Sequence, residues 1–188
     1  RVLFRSVYRP SNLIDCLKFK AANPKLLLSH YRTDYQWWNG TFDLAQKVYD
    51  VVFIGHYEND GRAEYVRSIF NAGIDLHVFD KGWEKIFKRY NWPLTNCHDR
   101  LSMAKYRATI NQAKIAIVFV SGKNQDVYTR RCFEIPACGT AMLLPDNQFL
   151  RNIFTADISA AYYNDTQSII RSIRTLLASP EKLESITK

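Results

Sequence analysis

A parallel α/β sheet with helices on both faces is the fold this chain predicts, on two observations. From Tyr49 onward, short apolar runs rich in β-branched residues alternate with segments of helical periodicity. Such alternation calls for parallel strands joined by right-handed crossovers. Second, one unit of strand, polar loop, short helix and strand spans residues 114–145, with its charged groups gathered between the two strands. The loop beyond the carboxyl end of a buried strand is where open α/β sheets bind ligands.

The elements follow in order. Residues 1–9 read as a strand, a helix starts at Pro10–Asn12 with Leu13, Ile14 and Leu17 on one face, and Asn23-Pro24 breaks it. Lys25 to His30 reads as a short strand, and residues 31–47 as a linker rich in Tyr and Trp. Asp50 to Gly55 is a buried strand, and Arg62 to Ala72 a helix with Ala63, Val66, Ile69 and Phe70 inward. Gly73 stands where a left-handed residue ends a helix. Ile74–Phe79 is the next strand, Trp83–Tyr90 a helix stopped by Asn91-Trp92-Pro93, and Asp99–Gln112 another helix. The unit at 114–145 contributes a strand at 114–120, a helix at about 130–137 and a strand at 141–145. A short helix at 148–154, a strand at 160–163 and a helix over Thr166–Leu177 complete the reading.

With 188 residues and 47% hydrophobic content, the chain can build a sizeable core and is not of disordered composition. No apolar run reaches the ~18 residues of a membrane span, and Arg1–Ser6 does not read as a signal peptide. The chain starts at Arg1 rather than Met, and is expected to be a fragment or a processed product. Cys16, Cys97, Cys132 and Cys138 show no CxxC pairing and no zinc-like spacing, so free thiols in a cytoplasmic protein are expected. The net charge of +8 suits an anionic partner: a nucleotide diphosphate, a lipid surface or nucleic acid. The cations are spread along the chain and no nucleic-acid motif accompanies them. The expected uses are a solvated surface and a peripheral attraction to membranes.

Residues 121–140, SGKNQDVYTRRCFEIPACGT, hold the chemistry. Asp126 and Glu134 stand eight positions apart with Arg130 and Arg131 between them. Taken with DVVFIGHYENDGR upstream, this stretch resembles the C-terminal, donor-binding half of GT-B glycosyltransferases, in particular the group that includes the CgeB-type proteins. The resemblance covers residues 48–185 and rests on several motifs in the right order. It implies a Rossmann-like domain over 48–188, with 1–47 as linker or remnant of the N-terminal half. It also implies transfer of a sugar, of hexosyl type, from a nucleotide-activated donor, with no metal needed for the diphosphate.

The resemblance assigns roles residue by residue. GT-B donor sites commonly carry an acid, seven residues and then Glu; here the pair is Asp126 and Glu134. Glu134 then accepts from the ribose hydroxyls, and Asp126, shorter than the usual Glu, faces the transferred sugar. On residue type alone, Glu134 is a first-turn acid favoured by the helix dipole and Asp126 a loop cap. Many relatives hold the diphosphate with Arg and Lys in the loop after the first strand; those positions are His56 and Arg62, following Gly55. Gly61-Arg62 also reads as a plain turn. Lys123 and Arg131 are expected to supplement the cations. Arg131 is the i+3 neighbour of Glu134, and a surface Arg–Glu pair is its plainer reading. Gly139, Thr140 and Tyr128 complete the expected donor contacts, Gly139 being also a natural helix C-cap.

The acceptor is not legible. Only 47 residues precede the first motif strand, so the isolated chain is expected to bind donor without turning over. A competing reading is a non-catalytic module, derived from a glycosyltransferase half, that binds a nucleotide or a partner; the departures at His56 and Asp126 favour it. A response-regulator-like domain would need an acidic pair at the end of an early strand, and the run from Val51 to Gly55 has none.

Overall fold

The computed structural model describes residues 40–187 and, before them, Ser6–Val7, Pro10, Asn12, Lys18 and Lys25–Leu26. Strands β1 (Ser6–Val7) and β2 (Lys25–Leu26) pair in parallel. The first falls within the expected strand at 1–9 and the second within that at 25–30. The helix face at Leu13, Ile14 and Leu17, Cys16, and the linker before Gly40 lie outside the described residues.

The domain is a six-stranded parallel sheet. Its strands are β3 (Tyr49–Ile54), β4 (Leu76–Phe79), β5 (Cys97–His98), β6 (Ala113–Ile117), β7 (Ala141–Pro145) and β8 (Ala161–Tyr163). Their order is β5-β4-β3-β6-β7-β8. Winding therefore reverses between β3 and β6, and the carboxyl ends of these two strands open a crevice. The helices are α1 (Arg62–Asn71), α2 (Trp83–Tyr90), α3 (Met103–Asn111), α4 (Arg131–Ala137), α5 (Gln148–Arg151), α6 (Thr166–Leu177) and α7 (Pro180–Ser185).

Alternation along β3 divides the core in two. Val51 and Phe53 face a cluster with Val66, Ile69, Trp83, Phe87, Ile169, Ile173 and Leu183, contributed by α1, α2, α6 and α7. Val52 and Ile54 face Ile110, Cys132, Ile135 and Leu150, from α3, α4 and α5. A parallel sheet covered on both faces explains why the strands read as nearly continuous apolar runs.

Several boundaries differ from expectation. Helix α3 starts at Met103 rather than Asp99, because the Ser102 side chain caps it by accepting from the Lys105 amide. Strand β6 stops at Ile117, short of Val120; the carbonyl of Val118 is taken instead by the Tyr163 hydroxyl at 2.8 Å. Helix α5 ends at Arg151, short of Phe154. Strand β5 and helix α7 have no counterpart in the sequence reading. The first has only two residues, and its His98 bonds His77 across the strand pair at 2.8 Å and stacks on Phe79. The second carries a legible signal, a Ser179 cap followed by Pro180 in the first turn.

Residues 40–47 lie against the domain. The Gly40 amide donates to the Ala137 carbonyl at 2.9 Å. Lys47 is buried, and its Nζ donates to the carbonyls of Asn111 and Gly139, each at 2.7 Å, and to Thr140 Oγ1 at 3.3 Å. The ammonium thus serves the last carbonyl of α3, which that helix leaves without a partner, and the carbonyl of Gly139 just past the end of α4. Burial lowers its pKa to about 8, against opposing pulls from Cys138 and Asp43. Lys47→Met should cost ~2 kcal/mol at neutral pH by stripping donors from buried carbonyls. A folded-state pKa below the unfolded one means the unfolded chain binds more protons between about pH 8 and 10.5. Wild-type stability should therefore gain on the variant as pH rises through that window, by roughly 2 kcal/mol near pH 9.5. Urea unfolding of both proteins at pH 7 and 9.5 checks this; a gap that narrows with pH contradicts it.

Candidate functional site

The crevice between the ends of β3 and β6 is a cleft of about 300 Å³. Its walls include Gly55, His56, Glu58 and Arg62 from the loop after β3, and Ser121, Asn124 and Asp126 from the loop after β6. Thr129, Arg130, Arg131 and Glu134 come from the start of α4, and Asp80, Arg100, Leu101, Met103 and Tyr106 from the β4 and α3 side. Six of the residues singled out in the sequence therefore meet here: Gly55, His56, Arg62, Asp126, Arg131 and Glu134.

The other four lie outside this cleft. Lys123 is exposed on the loop. Tyr128 is buried, stacked on Phe149 with ring centroids 5.3 Å apart. Gly139 has a left-handed φ of 64° after α4, and a Cβ there would meet the Thr41 backbone at 2.6 Å. Its lack of a side chain thus admits the chain's own backbone. Thr140 is fully buried and donates to the Ile110 carbonyl at 2.6 Å. Both lie at the opposite end of β7 from the crevice, where they meet Lys47.

Arg62 opens α1 as expected, but its charge is already committed. Nε donates to Asp60 Oδ1 at 2.8 Å, Nη2 to Asp60 Oδ2 at 2.6 Å, and Nη1 to the His56 carbonyl at 2.8 Å. Glu58 stands a further 3.4 Å from Nη2. Burial pushes the Asp60 carboxyl up; the Arg62 bonds and charge, with the amides of Arg62 and Gly122, outweigh this and leave it below its ordinary range. Asp60 thus occupies the place an external anion would take at the start of α1. Glu58 also accepts from Ser121 Oγ at 2.6 Å, tying the two loops together, and its other oxygen lies 3.0 Å from the exposed His56 ring. Asp60 and Glu58 stand in the motif, yet no spacing rule gives them a role.

Arg131 is the contrasting cation. Among the described residues its guanidinium has no acceptor, and its Nε is buried without a hydrogen bond. It reaches toward β3: a Cβ on Gly55 would lie 3.2 Å from Nη2 and 2.7 Å from the Phe53 ring. The glycine at that position is what admits the guanidinium. The Arg–Glu pair of the helix is made by Arg130, whose Nε is 4.0 Å from Glu134 Oε1, and not by Arg131. Glu134 is only 8% exposed, and its Oε2 accepts from the Tyr106 hydroxyl at 2.6 Å. Tyr106 lies on α3, 28 positions earlier, so no local pattern reveals the contact. Burial first, then the Glu134 charge, hold its phenol well above its ordinary pKa, and it remains a donor at neutral pH.

The described cysteines are poor nucleophiles. Cys97, Cys132 and Cys138 are free, and burial raises Cys132 to about 11 and Cys138 to about 12. Among the described residues no helix is long and apolar enough to cross a membrane.

Comparison with known proteins bears on this arrangement. A family model described as glycosyl transferase-like matches residues 62–188. No curated protein matches the chain in sequence. Among solved structures, sucrose-phosphate synthase from Thermosynechococcus elongatus superposes with a TM-score of 0.69 at 15% identity, over 97% of this chain and 51% of that one. T4 phage BGT in complex with UDP-glucose gives 0.64 at 18%, over 94% and 52%. The C-terminal domain of a group 1 glycosyl transferase from Francisella tularensis gives 0.62 at 11%, over 84% and 93%. The chain thus spans about half of the two longer proteins and nearly all of the isolated domain.

Proposed function

The chain belongs to the glycosyl transferase-like family, and on that premise we propose that its cleft binds the nucleoside-diphosphate part of an activated sugar, for transfer of the sugar to an acceptor. One observation carries the reading: a guanidinium without a partner among the described residues, that of Arg131, stands in the same cleft as the carboxylate of Glu134, at the switch point of the sheet. The diphosphate goes to Arg131, which can bond its oxygens bidentately and offset the charge that builds on a departing diphosphate. Glu134 accepts from the ribose diol, and Asp126 orients the sugar. Gly55 keeps room for the guanidinium, and His56 borders the phosphates. Arg62 holds the loop after β3 rather than the ligand. The cation in this reading is an arginine, and no metal is required. UDP-glucose bound to the T4 phage protein of like fold supports a donor of this class. A hexosyl donor, CgeB-type kinship, a cytoplasmic setting and a division at residue 48 belong to the same proposal, as does peripheral attraction to a membrane surface.

A second reading has an observation of its own. The commitment of Arg62 to Asp60, with His56 and Asp126, fits a half that binds nucleotide or partner without catalysis. Transfer or donor hydrolysis by the full-length protein separates the two.

The binding test is melting of the domain with UDP or GDP. At a hundred times the Kd, linkage gives ~2.7 kcal/mol of stabilisation. Glu134→Gln keeps shape but loses charge, and should weaken binding by about tenfold, with Glu134→Ala weaker still. No shift with any nucleoside diphosphate at millimolar concentration removes the reading.

A further inference from the structure

We propose that Tyr106 is the positioning residue that makes Glu134 selective for a ribose diol. The inference rests on the reading of Glu134 as the ribose acceptor, and adds what presents it. The hydroxyl of Tyr106 donates to Oε2 at 2.6 Å, while Oε1 has, among the described residues, only the exposed Arg130 guanidinium at 4.0 Å. One oxygen is therefore tied down from the α3 side, and the other is turned to the cleft that both residues line. A carboxylate free to rotate would have to be ordered each time a ligand binds, and affinity depends on how little must be ordered on binding. A tyrosine suits this position, because its ring packs against the core cluster under α3 and α4 and its phenol stays protonated beside a carboxylate. The two ends of the bond lie on different helices, α3 and α4, so the contact also fixes the width of the cleft at the point where the diol enters.

The role is one of acting through Glu134, and that gives it a signature. Tyr106→Phe keeps the ring and removes the hydroxyl that donates to Glu134. Calorimetry with UDP and 2′-deoxy-UDP should show the ribonucleotide weakened by about tenfold and the deoxynucleotide within about twofold of wild type. The preference for ribose would then fall, a change that loosened packing alone does not give. In a Glu134→Gln background, Tyr106→Phe should add little, because coupled residues are not additive. Melting curves of each variant without ligand establish that it is folded. Equal weakening of both nucleotides, or additive losses in the double variant, would overturn the inference. Wild-type protein that binds no nucleoside diphosphate would instead sink the functional reading beneath it.

Discussion

Arg62→Ala should destabilise the domain by ~3–5 kcal/mol, the cost of stranding buried carboxylates by removing their cation. The side chains of Asp60 and Glu58 are 8% and 11% exposed, and Arg62 is the cation that meets both. Against a usual domain stability of about 5–15 kcal/mol, such a loss is large. Arg62→Lys should recover little of it. An ammonium is a point donor and cannot reach both oxygens of Asp60 and the His56 carbonyl together. Removing Asp60 as well should cost less than the sum of the single losses, because part of the penalty is the unpaired acid itself. The lowered pKa of Asp60 adds a pH dependence. Its contribution is present above the ordinary carboxylate range and is lost as pH falls through the lowered folded-state value. Denaturant unfolding of the three variants is the measurement. An Arg62→Ala protein as stable as wild type, with its nucleotide affinity gone, would return Arg62 to the phosphate role that its position in the motif implies.

The two arginines mark where sequence reading succeeds and where it stops. The alternation of apolar runs and helical periods locates β3, β4, β6, β7 and β8, because strands covered on both faces must be apolar throughout. The same logic misses β5: two residues carry no period, and the strand is held by the pairing of His98 with Phe79 and His77. Residue types and order bring Gly55, His56, Arg62, Asp126, Arg131 and Glu134 to one cleft. What each does there depends on partners that spacing does not encode. Arg62 and Arg131 are chemically identical, yet an acid two positions away neutralises the first, and among the described residues nothing bonds the guanidinium of the second. The bond from Tyr106 to Glu134 joins two helices and exists only once the sheet has formed. Gly139 and Thr140 read as ligand contacts because a glycine invites close approach; the backbone that approaches is that of Thr41 and Phe42.

Arg131→Met is expected to have the opposite profile to Arg62→Ala: little loss of stability and a large loss of nucleotide affinity. A guanidinium whose Nε is buried without a hydrogen bond suffers desolvation without return in the empty protein. Methionine fills a similar length with apolar atoms, so the free domain should melt at the wild-type temperature or slightly above it. A bound diphosphate changes the balance, since charge-assisted bonds to phosphate oxygens are the strong ones. Losing the cation from such a pair costs ~2–5 kcal/mol, and the middle of that range is roughly three hundredfold in Kd. The loss should depend on the phosphates: UDP should suffer it, and uridine, which carries none, should bind both proteins alike. Wild-type affinity for UDP should fall with added salt, and the variant's should fall less steeply, because one of the screened charges has gone. Titration calorimetry with uridine and UDP at two salt concentrations decides the matter. If uridine and UDP lose affinity by the same factor, Arg131 shapes the cleft without binding the diphosphate, and the charge that the functional reading requires must come from elsewhere on its rim, where Arg100 and Arg130 stand.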